Sequence, residues 1–147
     1  LEVIIRNLSA GSFSKRYGVP EGLTFPSPTI EFSYKNDELH DPLLNEYHAL
    51  ALGLATKDEI ETIKSMAFRV NEVLKAYFLS LNVKLVDFKL EFGRLSDGTI
   101  VLADEISPDT CRFWDAKTNE KLDKDRFRRD MGGVEDAYQE MMKRVFG

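Results

Sequence analysis

A chain of 147 residues, 43% hydrophobic and 31% charged, has the make-up of one water-soluble globular domain with a real core. Its formal net charge of -5 argues against a general nucleic-acid binder, while leaving room for local basic clusters that hold phosphates. The single cysteine, Cys111, excludes an internal disulfide framework and a Cys-rich zinc site, and no apolar run approaches the ~18 residues of a membrane span.

Leu1 to Asn7 is rich in β-formers, and Val3, Ile4 and Ile5 predict a strand that delivers Arg6 to its end. Asn7 to Ser12 follows as a loop of small residues. Its backbone can approach a ligand closely, and Ser12 offers a hydroxyl and an N–H to an anion. The plain alternative is an ordinary turn before a short helix, Phe13 to Tyr17. Gly18 to Pro28 reads as a loop from its glycines and prolines. Thr29 to Lys35 alternates as a strand does, and the polar stretch Asn36 to Pro42 reads as a turn. His40 and His48 have no ligand spacing to a cysteine or another histidine, which argues against zinc.

Thr56-Lys57-Asp58-Glu59 is a capping box, with Thr56 as N-cap and Glu59 three residues on. Ile60, Ile63, Ala67, Val70, Leu74 and Leu81 then recur at helical spacing. This predicts the longest helix over Lys57 to Ser80, packed on the sheet, with its aromatic residues in the core.

In Leu85 to Gly93 the ionisable residues Asp87, Lys89 and Glu91 alternate with Val86, Phe88, Leu90 and Phe92. On a strand this gives one charged face and one apolar face, the back on a core and the front in a cleft. A carboxylate–amine–carboxylate row suits a ligand of metal ion and phosphates. A solvated face with internal ion pairs stays open as the other reading. Asp97-Gly98 predicts a hairpin that pairs Ile100 to Ala103 antiparallel with Lys89 to Gly93. The hairpin turns Asp104 back toward Glu91, and two converging carboxylates predict a Mg²⁺ site. Ser107 to Arg112 reads as a rigid loop. Arg112 is either aimed by Phe113 and Trp114 or a surface arginine beside an aromatic core. Lys121 to Asp130 is a charge run of the kind that forms a solvated helix face, and Val134 to Val145 predicts a final amphipathic helix.

Leu85 to Gly93 resembles one signature motif of the SAICAR synthetase family, and Leu1 to Asn7 with Ala10-Gly11-Ser12 resembles the other. The likeness continues through Asn36-Asp37 with Asp41-Pro42, Ala103 to Asp109 with Arg112 and Trp114, and Lys121 to Arg129. It implies an α+β fold of the SAICAR-synthase type, related to protein-kinase and ATP-grasp architecture, in which helices pack a mainly antiparallel sheet. The family carries an upstream nucleotide-covering lobe that has no counterpart in this sequence. Residues 1–147 are therefore expected to form a single domain, the C-terminal ATP- and CAIR-binding portion, inactive on its own.

The implied activity is a purine-biosynthesis ligase that joins CAIR and L-aspartate at the expense of ATP, giving SAICAR, ADP and phosphate through an acyl phosphate. ATP and Mg²⁺ are the implied cofactors, and a cytoplasmic homodimer the implied setting. The resemblance makes Arg6, Ser12 and Arg112 contacts of the CAIR phosphate and puts Lys35, Asp37 and Asp41 at the rim of the cleft. Lys89 would neutralise charge on the transferring phosphoryl group, and Asp87 would orient Lys89 or the attacking amine. Glu91 and Asp104 would hold Mg²⁺. Two other readings are a kinase-like phosphotransferase acting on a sugar or inositol phosphate, and a non-catalytic anion-binding fragment.

Overall fold

The computed structural model describes residues 1–103, 110–123 and 134–146. Among the described residues six strands form an antiparallel array in the order β3 (Leu43–Leu44), β2 (Thr24–Ser33), β1 (Glu2–Leu8), β4 (Val83–Arg94) and β5 (Ile100–Leu102), with β6 (Cys111–Asp115) also paired to β4. The helices are α1 (Gly11–Tyr17), α2 (Glu46–Ala51), α3 (Lys57–Ser80) and α4 (Val134–Phe146). The fold is α+β, as expected. None of the described helices is long and apolar enough to cross a membrane.

β4 organises the sheet because it is long enough to take partners along both edges. β1 lies along one edge, with Arg6 opposite Asp87, Ile4 opposite Lys89 and Glu2 opposite Glu91. The other edge is shared. β6 pairs with the first half of β4, Asp87 lying opposite Arg112, and β5 pairs with the end, Phe92 opposite Leu102. Alternation then sorts the side chains. Val3, Ile5, Phe32, Phe88 and Leu90 line the back of the sheet and pack on Ile60, Ile63, Ala67 and Phe78 of α3. Burial of each of these side chains except Ala67 is worth about 1.5–3 kcal/mol relative to exposure. The charged residues of β1 and β4 are left on the front.

A polar pair crosses the apolar layer between sheet and helix. Asn7 and Asn71 are 3% and 1% exposed, and they exchange reciprocal amide hydrogen bonds of 2.8 and 3.0 Å. Asn7 also donates to the Leu85 carbonyl at 3.1 Å, so one side chain ties β1, β4 and α3 together.

α3 runs over the predicted span, and both hydrogen bonds of its capping box are present. The Glu59 carboxylate also receives Arg94 Nε and Nη2, each at 2.6 Å, which joins the start of α3 to the end of β4. These donors hold Glu59 well below its ordinary value of 4.5, at about 2, chiefly through Arg94 and then through the Thr56 N–H. A carboxyl whose folded-state pKa is depressed stabilises the protein above its unfolded pKa, and that contribution is lost as pH falls toward the folded pKa. Glu59→Gln should therefore flatten the loss of thermal stability between about pH 4.5 and 2, which unfolding curves across that range would read.

The structure differs from the sequence reading at four places. β2 begins at Thr24 rather than Thr29, so Pro26 and Pro28 lie within a strand. The ladder tolerates them because the register with β1 jumps from Arg6–Thr29 to Leu8–Thr24, and these prolines fall where pairing is interrupted. Cys111 and Arg112 belong to a strand, not a loop, and Cys111 is buried in the main core. The short elements β3 and α2 were not anticipated; Asn45 caps α2 through His48, which gives that histidine a structural task. The helix expected from Phe13 starts at Gly11. The Asp-Gly hairpin forms as predicted, with Leu95 and Thr99 bonded at 2.8 Å and Gly98 at φ 90°. Of the charge run Lys121 to Asp130, everything beyond Asp123 lies outside the described residues.

Candidate functional site

The front face of the sheet carries a chain of alternating arginines and carboxylates. At its centre Arg6 is 2% exposed. Its Nε and Nη2 donate to Glu31 at 3.1 and 3.3 Å, its Nη1 donates to Asp87 at 3.1 Å and to the Ala10 carbonyl at 3.4 Å, and its Nη2 also donates to Ser12 Oγ at 2.9 Å. A guanidinium has five N–H donors, and Arg6 uses them all within the protein. Asp87 in turn receives Arg112 Nη1 at 3.0 and 3.1 Å, and Glu31 receives Arg16 Nη1 at 3.4 Å.

Elements distant in sequence supply these groups, and the register brings them together. Arg6 and Asp87 are direct cross-strand partners between β1 and β4, and Asp87 and Arg112 are direct partners between β4 and β6. The loop after β1 then places Ser12 over Arg6. Gly11 has φ +52°, and a Cβ there would lie 2.4 Å from Nη2 of Arg112, so only glycine leaves room for that guanidinium. The Gly11 N–H is bonded to Glu21 Oε2 at 3.0 Å.

Further along the same face Lys89 lies 3.9 Å from Glu2, and the Glu91 carboxylate takes the ammonium of Lys35. The sequence reading gives Asp87 the task of orienting Lys89 or the attacking amine; in the structure the Asp87 carboxylate accepts from two arginines and Lys89 lies beside Glu2. The open alternative of internal ion pairs is thus present in Lys89–Glu2 and Lys35–Glu91, while Arg6, Arg16, Arg112, Glu31 and Asp87 form one connected cluster. Asp41 accepts from the Asn36 N–H at 2.7 Å and shapes the loop after β2, where His40 and Asp41 both have positive φ. Asp37 opens the short 3₁₀ turn of that loop. Of the three residues expected at the rim, Lys35 pairs with Glu91, and Asp37 and Asp41 build the loop that follows β2.

Asp104 lies outside the described residues. What precedes it agrees with the hairpin argument, since the Ala103 N–H donates to the Glu91 carbonyl at 2.8 Å. Among the described residues no group of three or more His, Cys, Asp or Glu side chains could hold a metal. Glu91 does already hold a cation in the form of the Lys35 ammonium. A separate cleft near Leu1, Ala55, Ile63 and Phe92 contains none of the predicted site residues.

Sequence reasoning passed over Glu31, Arg16 and Glu2. Two of them, Glu31 and Arg16, carried a signal. Glu31 falls on the polar alternation of β2, and Arg16 lies four residues after Ser12, on the same face of α1.

The chain has close counterparts among known proteins. Residues 1–145 match the family model described as SAICAR synthetase. The chain belongs to the SAICAR synthetase family. It is 66% identical over its whole length to the phosphoribosylaminoimidazole-succinocarboxamide synthase of Thermoanaerobacter sp. (strain X514), and it spans 62% of that relative's length. Among solved structures it resembles a SAICAR synthetase (Type-2) in complex with ADP, with a TM-score of 0.94 and 57% identity over 98% of this chain and 61% of that one. It also resembles the phosphoribosylaminoimidazole-succinocarboxamide synthase from Ehrlichia chaffeensis, with a TM-score of 0.95 and 50% identity over 98% of this chain and 62% of that one. Both stretches that carried the resemblance to SAICAR synthetases, Leu1 to Ser12 and Leu85 to Gly93, lie side by side on this face through the β1–β4 pairing.

Proposed function

We propose that this chain is the C-terminal portion of a SAICAR synthetase, a purine-biosynthesis ligase that converts ATP, CAIR and L-aspartate to ADP, phosphate and SAICAR. The observation that carries this reading is the convergence of Arg6, Ser12 and Arg112 on one end of a charged sheet face whose other end bears Lys89 and Glu91. A phosphorylated substrate anchored at the arginine end extends toward the carboxylate and amine end, where phosphoryl transfer takes place.

A carboxylate does not react with an amine at neutral pH, because its departing oxygen is too poor a leaving group. Transfer of the ATP γ-phosphoryl group to the CAIR carboxylate oxygen releases ADP and leaves an acyl phosphate. The aspartate amine then attacks that carbonyl, loses its proton, and expels phosphate as the amide forms. Such chemistry asks the protein mainly for position and positive charge. Arg6, Ser12 and Arg112 make up the site of the CAIR phosphate. The exposed Lys89 ammonium meets negative charge on the transferring group, and Asp87 keeps the arginines in place. Glu91 suits Mg²⁺, since its carboxylate already takes a cationic partner, and Asp104 is the second carboxylate of that reading. When bound, Mg²⁺ neutralises charge on the ATP phosphates. Lys35, Asp37 and Asp41 border the cleft.

The same reading carries CAIR, L-aspartate and ATP as partners, an upstream lobe that completes the nucleotide site, a homodimeric assembly and a cytoplasmic setting. Release of ADP dependent on both CAIR and aspartate, by the chain joined to the upstream lobe of a relative, tests it. ADP release without aspartate would mark a phosphotransferase instead. The 147-residue chain alone should turn nothing over. Arg112→Ala in the joined protein should raise the KM for CAIR about ten- to a hundredfold and leave that for ATP near normal, since a charge-assisted contact contributes ~1.5–3 kcal/mol. An unchanged KM for CAIR would remove Arg112 from the site.

A further inference from the structure

The saturation of Arg6 gives its neighbours distinct tasks. Ser12 Oγ accepts from Arg6 Nη2 at 2.9 Å, and Ser12 is exposed. A hydroxyl that accepts from a cation turns its own O–H away from that cation, here toward whatever stands in front of the sheet. Whether Arg6 keeps its Nη2 on Ser12 depends on the plane of the guanidinium. That plane is set by Glu31, which takes one donor from each side of the fork, Nε at 3.1 Å and Nη2 at 3.3 Å. The Glu31 side chain is 14% exposed, and the same Oε1 also draws in Arg16 from α1, one helical turn beyond Ser12.

We propose that Glu31 is a positioning residue for phosphate binding: it fixes the plane of Arg6, and Arg6 thereby holds the Ser12 hydroxyl as a hydrogen-bond donor aimed at a phosphomonoester. This rests on the placement of the CAIR phosphate at Ser12 proposed above, and it extends that placement to a residue that never touches the substrate.

Glutamine at position 31 keeps the shape but turns an N–H₂ donor toward one edge of the guanidinium. Arg6 must then swing, and its bond to Ser12 is released. The test is a double-mutant cycle of Glu31→Gln and Ser12→Ala in the 147-residue chain, read by titration with ribose 5-phosphate and accompanied by melting curves. A phosphomonoester of this kind probes the cluster without the ligase reaction, so its result does not depend on turnover. The expected result is about tenfold weaker binding in each single variant and little further loss in the double variant, because both remove the same donor. Additive losses would overturn the proposal, since Glu31 would then act by a route other than Ser12. Unchanged binding in Glu31→Gln, or no binding by the parent chain, would overturn it as well. Should Glu31→Gln not fold, Glu31→Asp, which keeps the charge but is a methylene too short to span both donors, takes its place in the cycle and is read the same way. With CAIR as titrant in the joined protein, binding of ribose 5-phosphate without binding of CAIR would count against the ligase reading and leave the role of Glu31 standing.

Discussion

Asp87→Ala should be the most damaging single substitution on the front face, with thermal stability lowered by roughly 10 °C or more. The Asp87 side chain is 6% exposed and lies between the guanidinium of Arg6, itself 2% exposed, and that of Arg112 at 18%. Removing the carboxylate leaves Arg6 with a charged donor pointed at nothing and takes from Arg112 the carboxylate that its Nη1 reaches. Breaking a buried pair from one side costs about 3–5 kcal/mol, because the surviving charge stays desolvated. In a domain of this size each kcal/mol moves the melting temperature by about 2–4 °C. Asp87→Asn should fall between this variant and the parent, since its amide oxygen still accepts from one arginine. Melting curves of the three proteins decide the matter. If Asp87→Ala melts within about 3 °C of the parent, the clamp is not structural, and the orienting role first read for Asp87 regains its case.

Glu91→Gln should do the reverse, sparing the fold and abolishing turnover. The Glu91 side chain is 32% exposed and its partner Lys35 is 60% exposed, so losing this pair should hardly be felt in stability. If Glu91 holds Mg²⁺ in the complete enzyme, an amide of the same shape presents the cation with a neutral oxygen at the moment when charge on the transferring phosphates must be neutralised. Activity of the chain joined to an upstream lobe should drop roughly a hundredfold or more, with part of it recovered at high Mg²⁺ or Mn²⁺. Normal activity per folded molecule would move the metal to other ligands. A lowered melting temperature with intact activity would make the Lys35–Glu91 pair structural.

Much of this architecture can be read from the alternation of residues. The row Asp87, Lys89, Glu91 against Phe88, Leu90 and Phe92 defines a two-faced strand, and the structure puts that strand at the centre of the sheet. The capping box at Thr56 and the turn at Asp97-Gly98 are local signals with local causes, and both elements form where they predict. The misses come from information that is not local. Pro26 and Pro28 look like loop residues until β1 is known to skip pairing beside them. Cys111 to Asp115 is too short and too close to Pro108 to stand out as a strand, and only the open edge of β4 makes it one. At the site, the residue types were legible while their partners were not. Arg6 and Arg112 are both natural phosphate ligands, but nothing in the sequence shows that one carboxylate, Asp87, holds the two together.

The reciprocal amide bonds of Asn7 and Asn71 bear on the accuracy of folding more than on its free energy. A strand that slips by one residue exchanges its faces, and for β1 that would turn Arg6 into the layer beneath the sheet and Asn7 out to the front. The apolar neighbours Val3, Ile4 and Ile5 are alike enough that their packing penalises such a slip weakly, and its cost falls on burying the Arg6 charge and on the amide pair. The amide pair penalises it strongly, because Asn71, on a helix that does not slip, would be left buried without its partner, at a cost of about 1–3 kcal/mol. When correctly made the contact adds little, since each amide gives up equivalent bonds to water. Asn7 and Asn71 therefore serve as a proofreading contact for the chain, rejecting the wrong face of β1 before any substrate arrives to be misread.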